Sequence, residues 1–177
     1  MKHLLSLLLV AALAACSSEP AAPALAAKAD LLDITGKKVG SATLTEVDGG
    51  VKIVIDVQGA PAGTHALHIH NVGQCHEAAD KAPFAKAGPH FNPFGKEHGI
   101  DNPKGPHAGD LPNFEVKADG TAHIEVVAKL VTLKEGMTNS LFQVGGTCLM
   151  IHEKPDDNKS DPAGNAGTRW ACGTITK

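Results

Sequence analysis

Seven histidines and one cysteine lie between His65 and Asp110, in a stretch with little of the regular apolar pattern that builds a core. His68 and His70 are separated by one residue in an apolar run, so a strand here places both imidazoles on one face. Three more histidines and an aspartate follow at intervals that fit neither the helical nor the strand period: His90, His98, His107 and Asp110. We therefore expect this run to be the framework of a metal site.

Apolar alternation on both sides of this run predicts antiparallel strands. The clearest case is 51–57, where valine and isoleucine alternate with mostly polar residues directly after an Asp-Gly-Gly turn signal. Further strands are predicted over 39–47, 65–70, 147–152 and 170–176, and two more around an Asp-Gly turn within 113–127. About eight short strands without a helical period predict an all-β fold, an eight-stranded Greek-key β-sandwich or flattened barrel with two long functional loops. The first loop, 71–110, is reasonable in a compact domain only if metal ligands and a disulfide hold it.

The first residues are typical of an export signal, with Lys2 followed by an apolar run too short to span a bilayer. Because Leu-Ala-Ala directly precedes Cys16, residues 1–15 resemble a bacterial lipoprotein signal whose cleavage leaves that cysteine as an acylated N-terminus. An ordinary cleaved signal peptide is the alternative. By resemblance to sorting rules, Ser17 favours a membrane anchor in the outer membrane, facing the periplasm of the cell envelope. Residues 16–28 then form a flexible tether, and 29–177 form the folded domain.

Composition limits the remaining classes of function. The 177 residues, 42% hydrophobic, suffice for one sizeable core. A net charge of -3, no tyrosine and no basic patch with interleaved aromatics argue against nucleic acid binding. With Cys16 committed to lipid, three of the four cysteines remain, of which two can pair in an oxidising compartment.

Six short motifs occur in the order typical of one family. They are His68-Ile69-His70, Gly88-Pro89-His90-Phe91-Asn92-Pro93, Lys96-Glu97-His98-Gly99, His107-Ala108-Gly109-Asp110-Leu111, His152-Glu153-Lys154, and Gly164-Asn165-Ala166-Gly167-Thr168-Arg169-Trp170-Ala171-Cys172-Gly173. One HxH pair is weak evidence, whereas six motifs in order are specific. From about residue 29 to its end, the chain resembles the exported bacterial copper/zinc superoxide dismutases.

The resemblance implies one copper and one zinc ion per subunit. Copper would be ligated by His68, His70, His90 and His152, and zinc by His90, His98, His107 and Asp110. Four imidazoles without a thiolate suit tetragonal copper, and three imidazoles with a carboxylate suit tetrahedral zinc. His90 would then bridge the two metals, and in the family mechanism it takes up a proton and gives it to the peroxide product.

Further roles follow from the same resemblance. Arg169 would orient the superoxide anion, and Asp156 would hydrogen-bond one copper ligand and one zinc ligand. The implied disulfide joins Cys75 to Cys172. For Cys148 a buried inert thiol is favoured over intermolecular pairing or a metal contact.

The sequence leaves the function and the oligomeric state with one alternative each, and at one position it differs from the family pattern. A non-catalytic copper/zinc-binding envelope protein on the same scaffold is the competing function, although it needs neither Arg169 nor a bridging His90. A homodimer and a monomer are equally compatible with the sequence. Pro162-Ala163 stands where relatives carry Lys-Thr, which leaves Lys154 and Lys159 as candidates for guiding superoxide. Three histidines outside the motifs are expected to be surface or hydrogen-bonded residues: His65, His76 and His123.

Overall fold

The computed structural model describes residues 24–75 and 82–177, so the predicted export signal, Cys16 and most of the tether lie outside it. Its strands are β1 (Ala26–Asp33), β2 (Lys38–Val47), β3 (Gly50–Val57), β4 (Gly63–His65), β5 (Leu67–His70), β6 (Phe114–Val116), β7 (Ala122–Ala128), β8 (Cys148–His152) and β9 (Arg169–Thr174). A 3₁₀ turn over Ala85–Ala87 is the one helical element in these two ranges. No helix in the described part of the chain is long and apolar enough to cross a membrane.

Seven strands form one curled antiparallel sheet in the order β5-β8-β9-β1-β2-β3-β7, and β4 pairs with β6. The chain runs β1 to β3 as a meander, places β5 at the opposite edge of the sheet beside β8, and returns to pair β7 with β3. Such a crossing to the other edge and back is the kind of connection that a Greek key uses. The all-β prediction is confirmed.

The strand count differs from the prediction because β1 is not among the strands predicted from the sequence and because the strand expected over 65–70 is split at Ala66. Residues before Ala66 pair with β6, and residues after it pair with β8. At the break, the Ala66 N–H donates to the Lys154 carbonyl at 3.0 Å and the Ala66 carbonyl accepts from the His152 N–H at 3.0 Å. The chain thus changes partner here and joins the β4-β6 pair to the main sheet.

The core lies on the inner face of the curled sheet, where alternate residues of the first three strands are buried. Leu31, Leu44 and Ile53 have no exposed surface, and burying one such side chain contributes about 1.5–3 kcal/mol. Leu149 and Ile151 of β8 join the same core. The neighbouring residues of β5 and β8 point to the opposite face, which the loop after β5 covers.

The connections around β5 and β8 determine how that face is covered. The first long loop, 71–113, is joined to β9 by the Cys75–Cys172 disulfide, whose two cysteines are 97 positions apart in sequence. In the chain-entropy model such a closure contributes about 4–5 kcal/mol. The second long loop, 153–168, joins β8 to β9. A third connection, 129–147, was not predicted; Glu46 holds it by accepting from the Thr132 hydroxyl at 2.7 Å and the Leu133 N–H at 2.6 Å.

Candidate metal centre

All seven predicted metal ligands converge at one place and are buried. Two groups have ligand atoms within 4.8 Å of one another: His68, His70, His90 and His152, and His90, His98, His107 and Asp110. These are the two sets that the resemblance implied, and His90 alone belongs to both. Two ligands lie on β5, one ends β8, and the others come from the first long loop.

The first long loop is placed by pairing with β5. Isolated bridges put His90 opposite His70 and Asp110 opposite His68. Close approach requires glycine at position 109, since a Cβ there would lie 2.2 Å from a backbone carbonyl oxygen of β5. The bridges therefore bring two loop ligands alongside two strand ligands.

The first group, His68, His70, His90 and His152, is here called the copper side. Three of its rings, those of His68, His70 and His152, each direct one nitrogen toward the other ligands of the group. His68 Nδ1 is buried without a hydrogen-bond partner. His70 donates through Nδ1 to the Gly88 carbonyl at 2.8 Å, which leaves its Nε2 free, 3.5 Å from His152 Nε2. The Nδ1 of His152 is 3.4 Å from the Gly167 carbonyl. The partners of the outer nitrogens fix each ring with its other nitrogen directed inward.

The second group, His90, His98, His107 and Asp110, is here called the zinc side. Its three imidazole rings surround one carboxylate oxygen of Asp110. Asp110 Oδ1 lies 2.9 Å from His90 Nδ1, 3.1 Å from His98 Nδ1 and 3.3 Å from His107 Nδ1. The other oxygen, Oδ2, accepts from the backbone N–H groups of Gly99 and His107, both at 2.9 Å. Three imidazole nitrogens and a fixed carboxylate make a donor set that suits tetrahedral zinc.

The buried ring nitrogens test whether metals fit here. Among the described residues, His68 Nδ1 and His90 Nε2 have no hydrogen-bond partner, and His98 Nδ1 and His107 Nδ1 lie beside Asp110 Oδ1 without the geometry of a hydrogen bond. A buried polar atom left unpaired costs about 1–3 kcal/mol, and all four belong to the two ligand groups. Metal ions bound to these lone pairs would remove that cost, so the residues fit copper on one side and zinc on the other.

Burial keeps three of the copper-side rings neutral: His70, His90 and His152. It lowers the pKa of His90 to about 4 and the pKa of His152 to about 3, and it holds the pKa of His70 well below its ordinary value. Neighbouring histidines and Arg169 add to the effect on His70 and His152. Neutral imidazoles are the form that ligates a metal, so these three are ready to bind at neutral pH.

The pKa of His98, on the zinc side, is shifted in the opposite direction. Burial alone would lower its pKa, but its contacts with the Asp110 and Asp156 carboxylates outweigh burial and raise the pKa to about 9. Despite burial, contacts with histidines hold the pKa of both carboxyl groups well below their ordinary range. In the metal-free protein, His98 is therefore protonated at neutral pH.

We expect zinc binding to the metal-free protein at pH 7 to release about one proton, since His98 must lose its ring proton to coordinate. Zinc affinity should rise about tenfold for each pH unit below the His98 pKa and level off above it. Calorimetric titration of zinc in buffers of different ionisation enthalpy measures the release. An affinity that stays constant from pH 6 to pH 8 would contradict this assignment.

Asp156 links the two ligand groups, as the resemblance implied. Its Oδ2 lies 2.8 Å from His68 Nε2 and its Oδ1 lies 3.0 Å from His98 Nε2. Asn113 holds the backbone of Asp156 by accepting from its N–H at 2.9 Å and donating to its carbonyl at 2.8 Å. No sequence pattern marks Asn113, because its partners are backbone groups on a distant loop.

Gly164 lies against Asp156 and His98, so replacing Gly164 by alanine should disrupt the contact between these two side chains. A Cβ at Gly164 would lie 1.7 Å from Asp156 Oδ1 and 2.7 Å from His98 Nε2. We expect zinc affinity to fall about 10- to 100-fold, the usual effect of disturbing such a partner, in competition with a zinc chelator. The matched control is Gly36→Ala, also at positive φ but with nothing within 4 Å. Equal zinc affinity in both variants would refute the expected role.

Arg169 lies beside the copper-side group at the start of β9. Its Nη1 donates to the Phe84 carbonyl and its Nη2 to the Gly88 carbonyl, both at 2.6 Å. The Gly88 carbonyl also accepts from His70, so one backbone oxygen positions the guanidinium and a copper-side ring. Phe84 is buried at φ 54, a conformation that non-glycine residues seldom adopt. The geometry leaves Arg169 part-buried with a fixed charge near the site.

Two of the histidines outside the motifs, His65 and His123, have different environments. His65 is buried, with Nδ1 2.8 Å from the His152 carbonyl and Nε2 2.8 Å from the Pro61 carbonyl. His123 is exposed, and its Nδ1 lies 2.7 Å from Asp56 Oδ1. His76 lies outside the described residues. The expectation of surface or hydrogen-bonded histidines agrees with the first two.

Comparison with known proteins gives the same assignment as the geometry. The family model for copper/zinc superoxide dismutase matches residues 38–175. A protein of Aquifex aeolicus named superoxide dismutase [Cu-Zn] 2 is 50% identical over 153 residues, which cover 85% of this chain and 86% of the relative. A superoxide dismutase [Cu-Zn] of Caulobacter vibrioides is 39% identical over 142 residues, 79% of each chain.

Solved structures share the fold as well. A mutant of a SOD-like protein from Bacillus subtilis superposes with a TM-score of 0.79 at 39% identity, covering 85% of this chain and 97% of the other. The Cu/Zn superoxide dismutase from Brucella abortus gives a TM-score of 0.69 at 28% identity, covering 85% and 99%. Since the family model spans nearly all of the sheet and both ligand groups, the chain belongs to the copper/zinc superoxide dismutase family.

Proposed function

We propose that this protein converts superoxide to oxygen and hydrogen peroxide at the centre between β5, β8 and the first long loop, with His90 as the group shared by both metals. The observation that carries the proposal is the environment of the His90 ring. Its Nδ1 faces Asp110, its Nε2 on the other edge of the ring is buried without a partner among the described residues, and His90 belongs to both ligand groups. One imidazole thus faces both ligand groups.

The chemistry divides between the bound ions and the chain. Copper held by the four copper-side histidines would supply the one-electron exchange with superoxide, while zinc, which is redox-inert, would supply fixed charge. His90 Nε2 is sited to hold a proton on the copper side and to release it to the reduced oxygen species.

Arg169 separates this function from non-catalytic metal binding. Its guanidinium is fixed by two carbonyl oxygens, and its charge reaches both His70 and His152. A cation held there can bind and orient a small anion beside the copper-side group. A protein that only stores copper and zinc needs no such group, so the site favours the dismutase.

The test is a metal analysis and an activity assay on one purified, metal-loaded sample. We expect one copper and one zinc per chain, dismutation of superoxide, and inhibition by cyanide, which occupies copper. A sample that holds both metals and shows no activity above that of free copper would reject the dismutase and leave the metal-binding alternative.

Lys154 is the better of the two candidates for guiding superoxide. A Cβ placed on Gly167 would contact the Lys154 side chain at 3.1 Å, and the Gly167 carbonyl is the partner of His152. The backbone of Lys159 instead lies beside Gly99, on the zinc side. Both lysines are exposed. We infer that Lys154 contributes positive charge at the copper-side approach.

Replacing Lys154 by glutamine should therefore lower the rate with superoxide at low ionic strength, by about two- to tenfold, because steering of a charged ligand is lost. Lys159→Gln is the matched control and should change the rate less. Pulse radiolysis across a range of salt concentrations measures both, and the difference should shrink as salt screens the charges. Equal losses in the two variants would contradict the placement.

We further infer that the enzyme works in the cell envelope, anchored to the outer membrane through lipid on Cys16 and facing the periplasm. The lipoprotein-type motif before Cys16 supports this, and so does the Cys75–Cys172 disulfide, since such bonds persist in oxidising compartments. Cells fed labelled palmitate should label the wild-type chain and not Cys16→Ser. Absence of label from the wild type, with unchanged fractionation of the variant, would refute the anchor.

A further inference from the structure

Cys148 lies against the disulfide of the first long loop. The three sulfur atoms of Cys75, Cys148 and Cys172, here called the sulfur cluster, all lie within 4.8 Å of one another. Two of the cysteines have no exposed surface and Cys75 is 7% exposed. Their buried neighbours form a pocket of apolar and soft side chains: Phe84, Ala87 and Met150.

Strand register places the sulfur cluster next to the copper-side histidines. Cys148 pairs with His70 across β5 and β8, and Met150 pairs with His68 on one side and Cys172 on the other. Directly paired residues have Cβ atoms about 5 Å apart on the same face of a sheet. The sulfur cluster is therefore one cross-strand position from His70, on the same face.

We propose that the sulfur cluster binds copper(I) when the Cys75–Cys172 disulfide is reduced. A dithiol reductant supplies the two electrons: the disulfide becomes two thiols, and the dithiol becomes a disulfide. The metal then displaces the thiol protons. Three sulfurs that bind one ion at about 2.3 Å lie about 4 Å from one another. In the structure the three sulfurs lie within 4.8 Å of one another, so they can adopt this arrangement. Opening the disulfide to that separation needs movements of only about 1 Å on each side.

The donor set favours copper(I) over zinc. Thiolates select soft ions, and the thioether of Met150 belongs to the same cluster. Structural zinc takes four ligands, whereas the group offers three. Burial raises the pKa of the Cys148 thiol to about 12, and the nearby charge of Arg169 opposes only part of that rise, so the thiol proton leaves when the metal displaces it.

A reductant can approach the disulfide from the Cys75 side, since Cys75 is the one of its two cysteines with exposed surface. A groove of about 600 Å³ borders it there, lined by residues that include Lys28, Gln74, Cys75, Cys172 and Thr174. While the disulfide is closed, only the Cys148 thiol of the sulfur cluster is free. Two of the three donors are then unavailable, so binding is controlled by the redox state.

The experiment uses the full chain with Cys16→Ser, which removes the fourth thiol, and with the histidine centre already loaded with copper and zinc. After reduction by a phosphine, copper(I) is added against a chromogenic copper(I) chelator. We expect one additional copper per chain, with sulfur scattering at about 2.3 Å in X-ray absorption. The unreduced protein should take up none. Cys148→Ser and Cys148→Ala should each weaken the additional binding at least tenfold.

Trp170, part-buried against the core, reports by its fluorescence whether the reduced chain stays folded. The proposal is overturned if the additional copper shows no sulfur scattering, or if both Cys148 variants bind it as tightly as the parent. It is also overturned if zinc binds in preference to copper(I), or if copper binds only after the Trp170 emission reaches that of the unfolded chain. None of these outcomes depends on dismutase activity, so failure here leaves the proposed function standing.

Discussion

Replacing His90 by alanine is expected to lower the dismutase rate about 100- to 10,000-fold, the range that a positioned proton-transfer group contributes. The variant removes the one side chain common to both ligand groups, and with it the nitrogen sited to hold a proton on the copper side. Copper should still bind weakly, through His68, His70 and His152. Steady-state assays, metal analysis and the copper absorption spectrum measure the three effects.

The matched control is His123→Ala, which removes an exposed histidine on β7 whose partner is Asp56. An exposed pair of this kind contributes about 0–1 kcal/mol, so rate, metal content and spectrum should stay at wild-type values. An unchanged copper spectrum in His90→Ala would show that His90 does not ligate copper and would remove the basis for a shared imidazole.

The strands could be predicted because their signal is local. Over 51–57 the apolar residues alternate directly after a turn sequence, and the structure has β3 at Gly50–Val57. The break at Ala66 could not be predicted, since it depends on hydrogen bonds to Lys154 and His152 from another part of the chain. Local pattern fixes where a strand lies, whereas its change of partner depends on tertiary structure.

The residues of the two ligand groups that the structure brings together could be predicted for a different reason, namely their residue types and motif order. The groups that orient them could not. His70 and His152 are held by the carbonyls of Gly88 and Gly167, and every residue carries a carbonyl, so no side chain marks the partner. Gly164 shows the same limit: the sequence identifies a motif glycine, but only the structure shows that a side chain there would meet Asp156.

The unpaired cysteine shows what the family resemblance omits. The resemblance assigns Cys75 and Cys172 to a disulfide, which the structure confirms, and gives Cys148 no role. Because residues two apart on a strand share a face, the sequence alone predicts that Cys148 and Met150 do so. That Cys148 lies close to the disulfide depends on the β8-β9 register, in which Met150 is opposite Cys172.

Arg169→Glu is expected to lower the rate with superoxide about 10- to 1,000-fold at low ionic strength, the range over which charged clefts alter association of a charged substrate. The substitution replaces the only guanidinium donor to the Phe84 and Gly88 carbonyls by a carboxylate that repels both those oxygens and the substrate. Pulse radiolysis measures the rate, and copper content checks that His70, which shares the Gly88 carbonyl, still binds.

Salt dependence separates a charge effect from a structural one. In the wild type, salt screens attraction and the rate should fall as ionic strength rises, whereas in Arg169→Glu it screens repulsion and the rate should rise. Arg169→Lys keeps the charge but not the two-pronged donor, so it should retain the wild-type sign of the salt dependence at a reduced rate. If Arg169→Glu slows the enzyme with the wild-type sign of salt dependence, the arginine acts by holding the first long loop in place rather than by attracting the anion.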